Sequence, residues 1–185
     1  MGWIKRQQAK FAAQARQSAR DYVSGETHFH FGTAYRLKVI NRQGASSVKN
    51  TVDRIELSTP PGSDRDSRER VFQRWQRQEL RDRAGPLVDH WARVYDVAIP
   101  EFGIKRMRTK WGTCNAAANR IWLNRELAKK PLACIDYLVC HEVAHFIEGS
   151  HGDRFIGLMD LHIPRWRVIR AELNSEPLGH EDWDH

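Results

Sequence analysis

The stretch "HEVAHFIEGSH", residues 141–151, holds three histidines and two glutamates beside a run of apolar side chains. His141 and His145 are four residues apart, so on a helix they lie one turn apart on one face. Their imidazoles can meet at a point about 2 Å from each, the distance at which nitrogen binds zinc. Glu142 is rotated by about 100° around the helix axis. It is turned away from a shared metal yet can reach a water held there. Two ligands and a general base are the parts of metal-assisted hydrolysis, and H-E-x-x-H on a helix is the pattern by which such sites are read.

A catalytic zinc takes a third protein ligand and keeps one position open. His151 is the leading candidate, because a helix that stops at Gly149 can reverse and return it over the metal. Glu172, on a later helix, and His162, near a helix end, compete with it. The bland alternative is a set of ordinary buried histidines. Burying such a trio without a cation would strand polar groups at about 1–3 kcal/mol each. The spacing also resembles the metzincin run H-E-x-x-H-x-x-G-x-x-H, although Glu148 stands at its glycine position and no Met-turn follows, Met159 being too close and too helical.

The elements that must position these groups can be read from periodicity. "KPLACIDYLVCHEVAHFI" (130–147) is apolar nearly all round and predicts a buried helix, with Pro131 in its first turn and Gly149 at its exit. A helix is expected over 3–20. "TAYRLKVI" (33–40) and "VDRIELS" (52–58) alternate and predict a hairpin. "TPPGSDRDS" (59–67) breaks the chain and offers Asp64 or Asp66 as a helix N-cap. Residues 67–96 follow as a long helix, kinked or divided at Gly85-Pro86. "FGIKRMRTKWGT" (102–113) and "NRIWLN" (119–124) predict a second hairpin, and two short helices are expected near 152–161 and 165–174. The expected division is an N-terminal helix and hairpin region, 1–64, followed by a catalytic core, 65–185.

Composition bounds the rest. A chain of 185 residues with 41% hydrophobic and 29% charged residues suits one globular domain. No apolar run approaches the roughly 20 residues of a membrane span, and the start lacks the apolar region of a secretory signal. Three cysteines make no disulfide framework, which points to the cytoplasm. The net charge of +7 is uneven: residues 1–50 carry nine Lys/Arg against two Asp/Glu, and beyond Arg170 the charges are all acidic. The basic front suits an anionic partner such as nucleic acid, or a solvated helix face.

"MRTKWGTC", "NRIWLN" and "IDYLVCHEVAHFIEGSHGDRF" together resemble the YgjP-like metallopeptidase family, relatives of the SprT-like zincins, and "YVSGETHFHFGTAYRLKV" extends the likeness upstream. The resemblance implies a zincin-like α+β fold: a small antiparallel or mixed sheet packed on a buried active-site helix, with a long helix and short C-terminal helices. It implies one zinc ion per chain on His141, His145 and His151, with Glu142 as the base that activates the zinc's water for peptide-bond hydrolysis. A DNA-associated zinc protein, its proteolysis tethered or absent, is the alternative implied by the SprT-like relatives and the basic front. In zincins an edge strand above the active-site helix holds the substrate. The strand near 105–112, ending at Trp111-Gly112, is the candidate here. Tyr137 is a core residue or an oxyanion donor, Cys140 an inert buried thiol, and His28 and His30 a surface pair or a second metal site.

Overall fold

The computed structural model describes residues 20–99 and 101–175. Most of the helix expected over 3–20, and the end of the acidic tail, lie outside the described residues. The first sheet holds β1 (Thr27–His30), β2 (Thr33–Asn41), β3 (Ser47–Asn50) and β4 (Arg54–Thr59), in the order β1-β2-β4-β3. β2 and β4 run parallel, from Arg36↔Arg54 to Asn41↔Thr59, so the hairpin expected between them is not formed. The connection contains β3, a short polar strand that pairs antiparallel with β4 and makes the hairpin instead.

β1 lies where the sequence suggested a turn-rich link. It joins β2 through a two-residue loop, Phe31 at φ 46° and Gly32 at φ 82°, both left-handed as the tightest hairpin turn requires. Its alternation does put His28 and His30 on one face, but that face is buried, which corrects the surface pair expected for them. His28 packs on Phe72 and Tyr22 and bonds Glu26 at 3.1 Å. His30 stacks 4.5 Å from Trp75. A helix covers this face, so the imidazoles are wall, not surface.

That helix is α1 (Arg65–Val94). Asp64 caps it, accepting from Ser67 N–H at 2.8 Å. It runs unbroken through Gly85-Pro86, so the helix is not divided there. The hydrogen bond that Pro86 cannot donate belongs to the carbonyl of Asp82, which is exposed and can bond water. Phe72, Gln76, Leu80, Ala84, Val88 and Trp91 recur at three or four residues and form the buried stripe. Phe72 joins a small core with Tyr22, Leu37, Ile55 and Leu57. Leu80 to Trp91 join the larger core around the candidate site. One helix therefore braces both.

The second sheet is β5 (Glu101–Lys105), β6 (Gly112–Asn115) and β7 (Arg120–Asn124), in the order β5-β7-β6. The strand expected over 102–113 is thus two strands, one parallel and one antiparallel to β7. The loop between them is fastened by the buried side chain of Asn124. Its amide donates to the carbonyls of Met107 (2.9 Å) and Lys110 (2.8 Å), and its oxygen accepts from Glu126 N–H. A β-ladder across 106–111 would forfeit these bonds. On the sheet face, Gly103 leaves room for the Trp122 ring across the ladder, and a Cβ there would lie 2.2 Å from the indole.

Three helices complete the α+β architecture: α2 (Leu132–Ala144), α3 (Asp153–His162) and α4 (Trp166–Ser175). α2 buries Cys134, Ile135, Tyr137 to Cys140, and Glu142 to Ala144. The β1–β2 turn is pinned at its start, with Phe31 and Gly32 N–H donating to the carbonyls of Ala128 and Lys129. No described helix is long and apolar enough to cross a membrane.

Two stability predictions follow from these contacts. Gly103→Ala drives a methyl into Trp122 and should lower the urea-unfolding free energy by about 1–3 kcal/mol. A shift below a few tenths would show that the indole moves freely. The second concerns His30, whose pKa burial, and then Arg83, push down to about 4, outweighing Glu79 at 3.6 Å. The unfolded chain takes up its proton near pH 6.5 while the fold does not. This stabilisation is complete above pH 6.5 and is lost as pH falls toward 4. After discounting for solvent screening it amounts to about 1–3 kcal/mol. Urea midpoints across that window should fall less steeply for His30→Gln than for the parent, and equal slopes would refute the assignment.

Candidate metal centre

His141 and His145 point from successive turns of α2. The helix then closes on itself: Phe146 N–H donates to Val143, and Ile147 and Glu148 N–H both donate to Ala144. It ends before Gly149, whose backbone is outside the left-handed region. The reversal expected of that glycine is made by Glu148, whose carboxylate accepts from Ser150 N–H (3.1 Å) and Oγ (2.8 Å). This turn brings His151 back to α2. The ligand nitrogens of the three histidines lie within 4.8 Å of one another. Phe155, buried on α3, touches all three rings at centroid distances of 4.7–4.9 Å and forms their floor.

These residues fit a divalent ion. His145 Nδ1 lies 3.0 Å from the Glu148 carbonyl. A carbonyl only accepts, so Nδ1 carries the proton and Nε2 presents a lone pair. Nε2 of His141 and Nε2 of His151 face each other at 3.2 Å, close to the roughly 3.3 Å between nitrogens sharing one tetrahedral zinc. Burial first, then the charges of His145, His151 and Arg170, push His141 down to about 3. His151 is also lowered, by burial first and then by His145 and Arg170. Neutral imidazoles with converging lone pairs attract a cation. The competing candidates are elsewhere: His162 packs on Trp91 and Tyr95, and Glu172 is exposed on α4 and outside the cluster.

Glu142 is 5% exposed. Burial pushes its pKa up to about 8, against the Lys110 charge and a hydrogen bond from the Cys114 backbone, which both lower it. Its carboxylate lies against Gly112, where a Cβ would stand 2.5 Å from Oε1. The glycine that opens β6 is therefore a cradle for the buried acid. Trp111, just before it, is buried and donates from Nε1 to Asn174 Oδ1 on α4 at 3.2 Å. Tyr137 is 3% exposed, its ring 5.8 Å from His141 and stacked on Trp166. Cys140 is buried with its sulfur 3.5 Å from the Tyr95 hydroxyl. Among the described residues, none of the three cysteines is bridged.

Sequence reasoning missed Phe155, Glu148 as the turn-maker, and Asn124 as the fastener of the loop before β6. Phe155 had a signal, four residues beyond His151 and so within one turn's reach of it. The other two act through backbone groups and leave no spacing to read.

Among curated proteins the sequence has no match. Among solved structures, one similar chain is the crystal structure of the metallopeptidase zymogen of Pyrococcus abyssi abylysin, at 17% identity and a TM-score of 0.46. The likeness covers 49% of this chain and 90% of that one. The sequence profile of the YgjP-like metallopeptidase domain matches residues 1–176, nearly the whole chain. The chain belongs to the YgjP-like metallopeptidase family.

Proposed function

We propose that the chain is a zincin-type peptidase in which His141, His145 and His151 hold one zinc ion and Glu142 is the general base. The observation that carries this reading is a buried carboxylate and three converging imidazole nitrogens on one short stretch of helix and turn. Three imidazoles with an open position favour zinc over harder ions. Bound there, the ion supplies Lewis-acid polarisation of the scissile carbonyl and makes water acidic enough to attack near neutral pH.

The chain's own residues do the rest. Glu142 takes the proton of the attacking water on its carboxylate and returns it to the departing amine. β6 is the edge of its sheet, paired with β7 on one side. An extended peptide can add to its other side by main-chain hydrogen bonds, and Gly112 brings that edge into contact with Glu142. His145, oriented by the Glu148 carbonyl, and Phe155 beneath the rings keep the ligands preorganised.

Two variants test this. Glu142→Gln should bind zinc at the same stoichiometry and cleave a peptide library about 100- to 10,000-fold more slowly, while chelator should abolish parental cleavage. Turnover equal to the parent's would remove Glu142 from the mechanism. Gly112→Ala should fold and keep its zinc, because the crowded atoms all belong to the one side chain of Glu142, which is not a ligand in this reading. It should nonetheless lose roughly 100-fold in kcat as the displaced carboxylate loses its position. Unchanged kcat would mean that the close approach plays no part in catalysis.

A further inference from the structure

The rim of the candidate site is cationic. Trp166, Arg170 and Asn174 recur at four residues on α4 and so share a face. Trp166 stacks on Tyr137, whose ring adjoins His141. Asn174 accepts from Trp111, whose neighbour Gly112 touches Glu142. The two ends of the stripe thus reach the metal ligands and the base, and Arg170 stands between them. The same indole–amide bond ties α4 to the loop that carries Lys110, and the backbone of Lys110 is fixed by Asn124. Both side chains are exposed.

Their charges reach the site. At His141, after burial and the other two histidines, Arg170 is the remaining influence. At Glu142, after burial, Lys110 is the largest. Among the described residues, neither Lys110 nor Arg170 forms an ion pair. Such a rim draws negative charge toward the site.

We propose that Lys110 and Arg170 form a specificity rim that selects peptides with acidic side chains beside the bond to be cut. The proposal rests on the peptidase reading for the site's purpose, but it concerns binding and can be measured without turnover. An acidic side chain over the rim would pair with a cation whose backbone is already fixed, because Asn124 holds the Lys110 carbonyl and Trp111 bonds Asn174 on α4. A basic side chain there would meet like charge.

The probes are three fluorescein-labelled peptide pools of equal length whose variable positions carry Asp/Glu, Asn/Gln or Lys/Arg. Their anisotropy is measured with the zinc-loaded Glu142→Gln protein. The acidic pool should bind about tenfold more tightly than the neutral one, the size that two rim pairs give. The preference should shrink as salt rises. Adding Lys110→Glu and Arg170→Glu should reverse the order of the pools, and adding Lys110→Met and Arg170→Leu should flatten it. Circular dichroism would show that each variant is folded. Equal binding of acidic and neutral pools, or a preference that survives the reversal, would overturn the proposal. So would a single-stranded oligonucleotide that displaces the acidic pool at lower charge concentration, which would make the rim a nucleic-acid contact. Cleavage of the neutral pool by the parent protein reads the peptidase assignment separately.

Discussion

A buried carboxylate and a half-buried imidazole on an apolar helix constrain everything packed around them. Charged Glu142 and a charged His141 would each be costly so far from water, and α2 offers no polar neighbours of its own to offset that cost. The surroundings answer with contacts specific to these groups. Gly112 lets a strand backbone approach the carboxylate without a Cβ between them. The Glu148 carbonyl takes the one proton of His145 and leaves the other nitrogen bare. Phe155 closes the underside of all three rings with an apolar face that competes for no lone pair. The result is a set of acceptors turned toward a single point, which is a stable arrangement when that point holds a cation.

Holding such a set in register takes elements far away in sequence. α2 cannot slide, because the β1–β2 turn bonds the carbonyls of Ala128 and Lys129 just before it, and Gly32 packs on Pro131 so closely that a Cβ would stand 2.9 Å from the proline ring. β6 cannot drift, because the Asn124 amide grips the loop before it through two hydrogen bonds, and Trp111 Nε1–H donates to α4. The long helix α1 contributes to both the small core around Phe72 and the large core around α2, and so ties one to the other. A site preorganised to within a fraction of an ångström depends on such supports more than on its own residues.

How much of this a reader of the sequence can reach follows from the range of each interaction. The period of 3.6 residues fixes His141 against His145 before any fold is known, and a turn of six residues returns His151 whatever packs around it. The N-cap Asp64 and the two closing helices were legible for the same reason. The pairing of β2 with β4 was not, since β3 is too short and too polar to announce itself and two alternating segments in succession read as a hairpin. His28 and His30 looked like surface residues because nothing local says that α1 will cover them. The split of 102–113 into β5 and β6 depends on Asn124, more than ten residues downstream. What failed to show in the sheets and at His28 and His30 is a contact between residues distant in sequence.

The chain's charge invites a simpler reading than it supports. Its positive excess lies in the first fifty residues, and net charge alone would place an anionic partner there. At the site, position matters more than the sum. Among the described residues, several cations at the surface are engaged in ion pairs: Arg65 with Asp66 and Glu69, Arg120 with Glu101, Arg167 with Asp160. Such pairs are screened by water and contribute little to stability or to the field. Lys110 and Arg170 differ in standing beside the apolar rings of Trp111, Tyr137 and Trp166, which pack next to the site and form a region of low dielectric constant. Field lines from a charge beside such a region are driven toward the site instead of spreading through the protein. A substrate that covers the rim also removes the water that screens it. The two charges therefore weigh most when a peptide is bound, and it is there that they can discriminate.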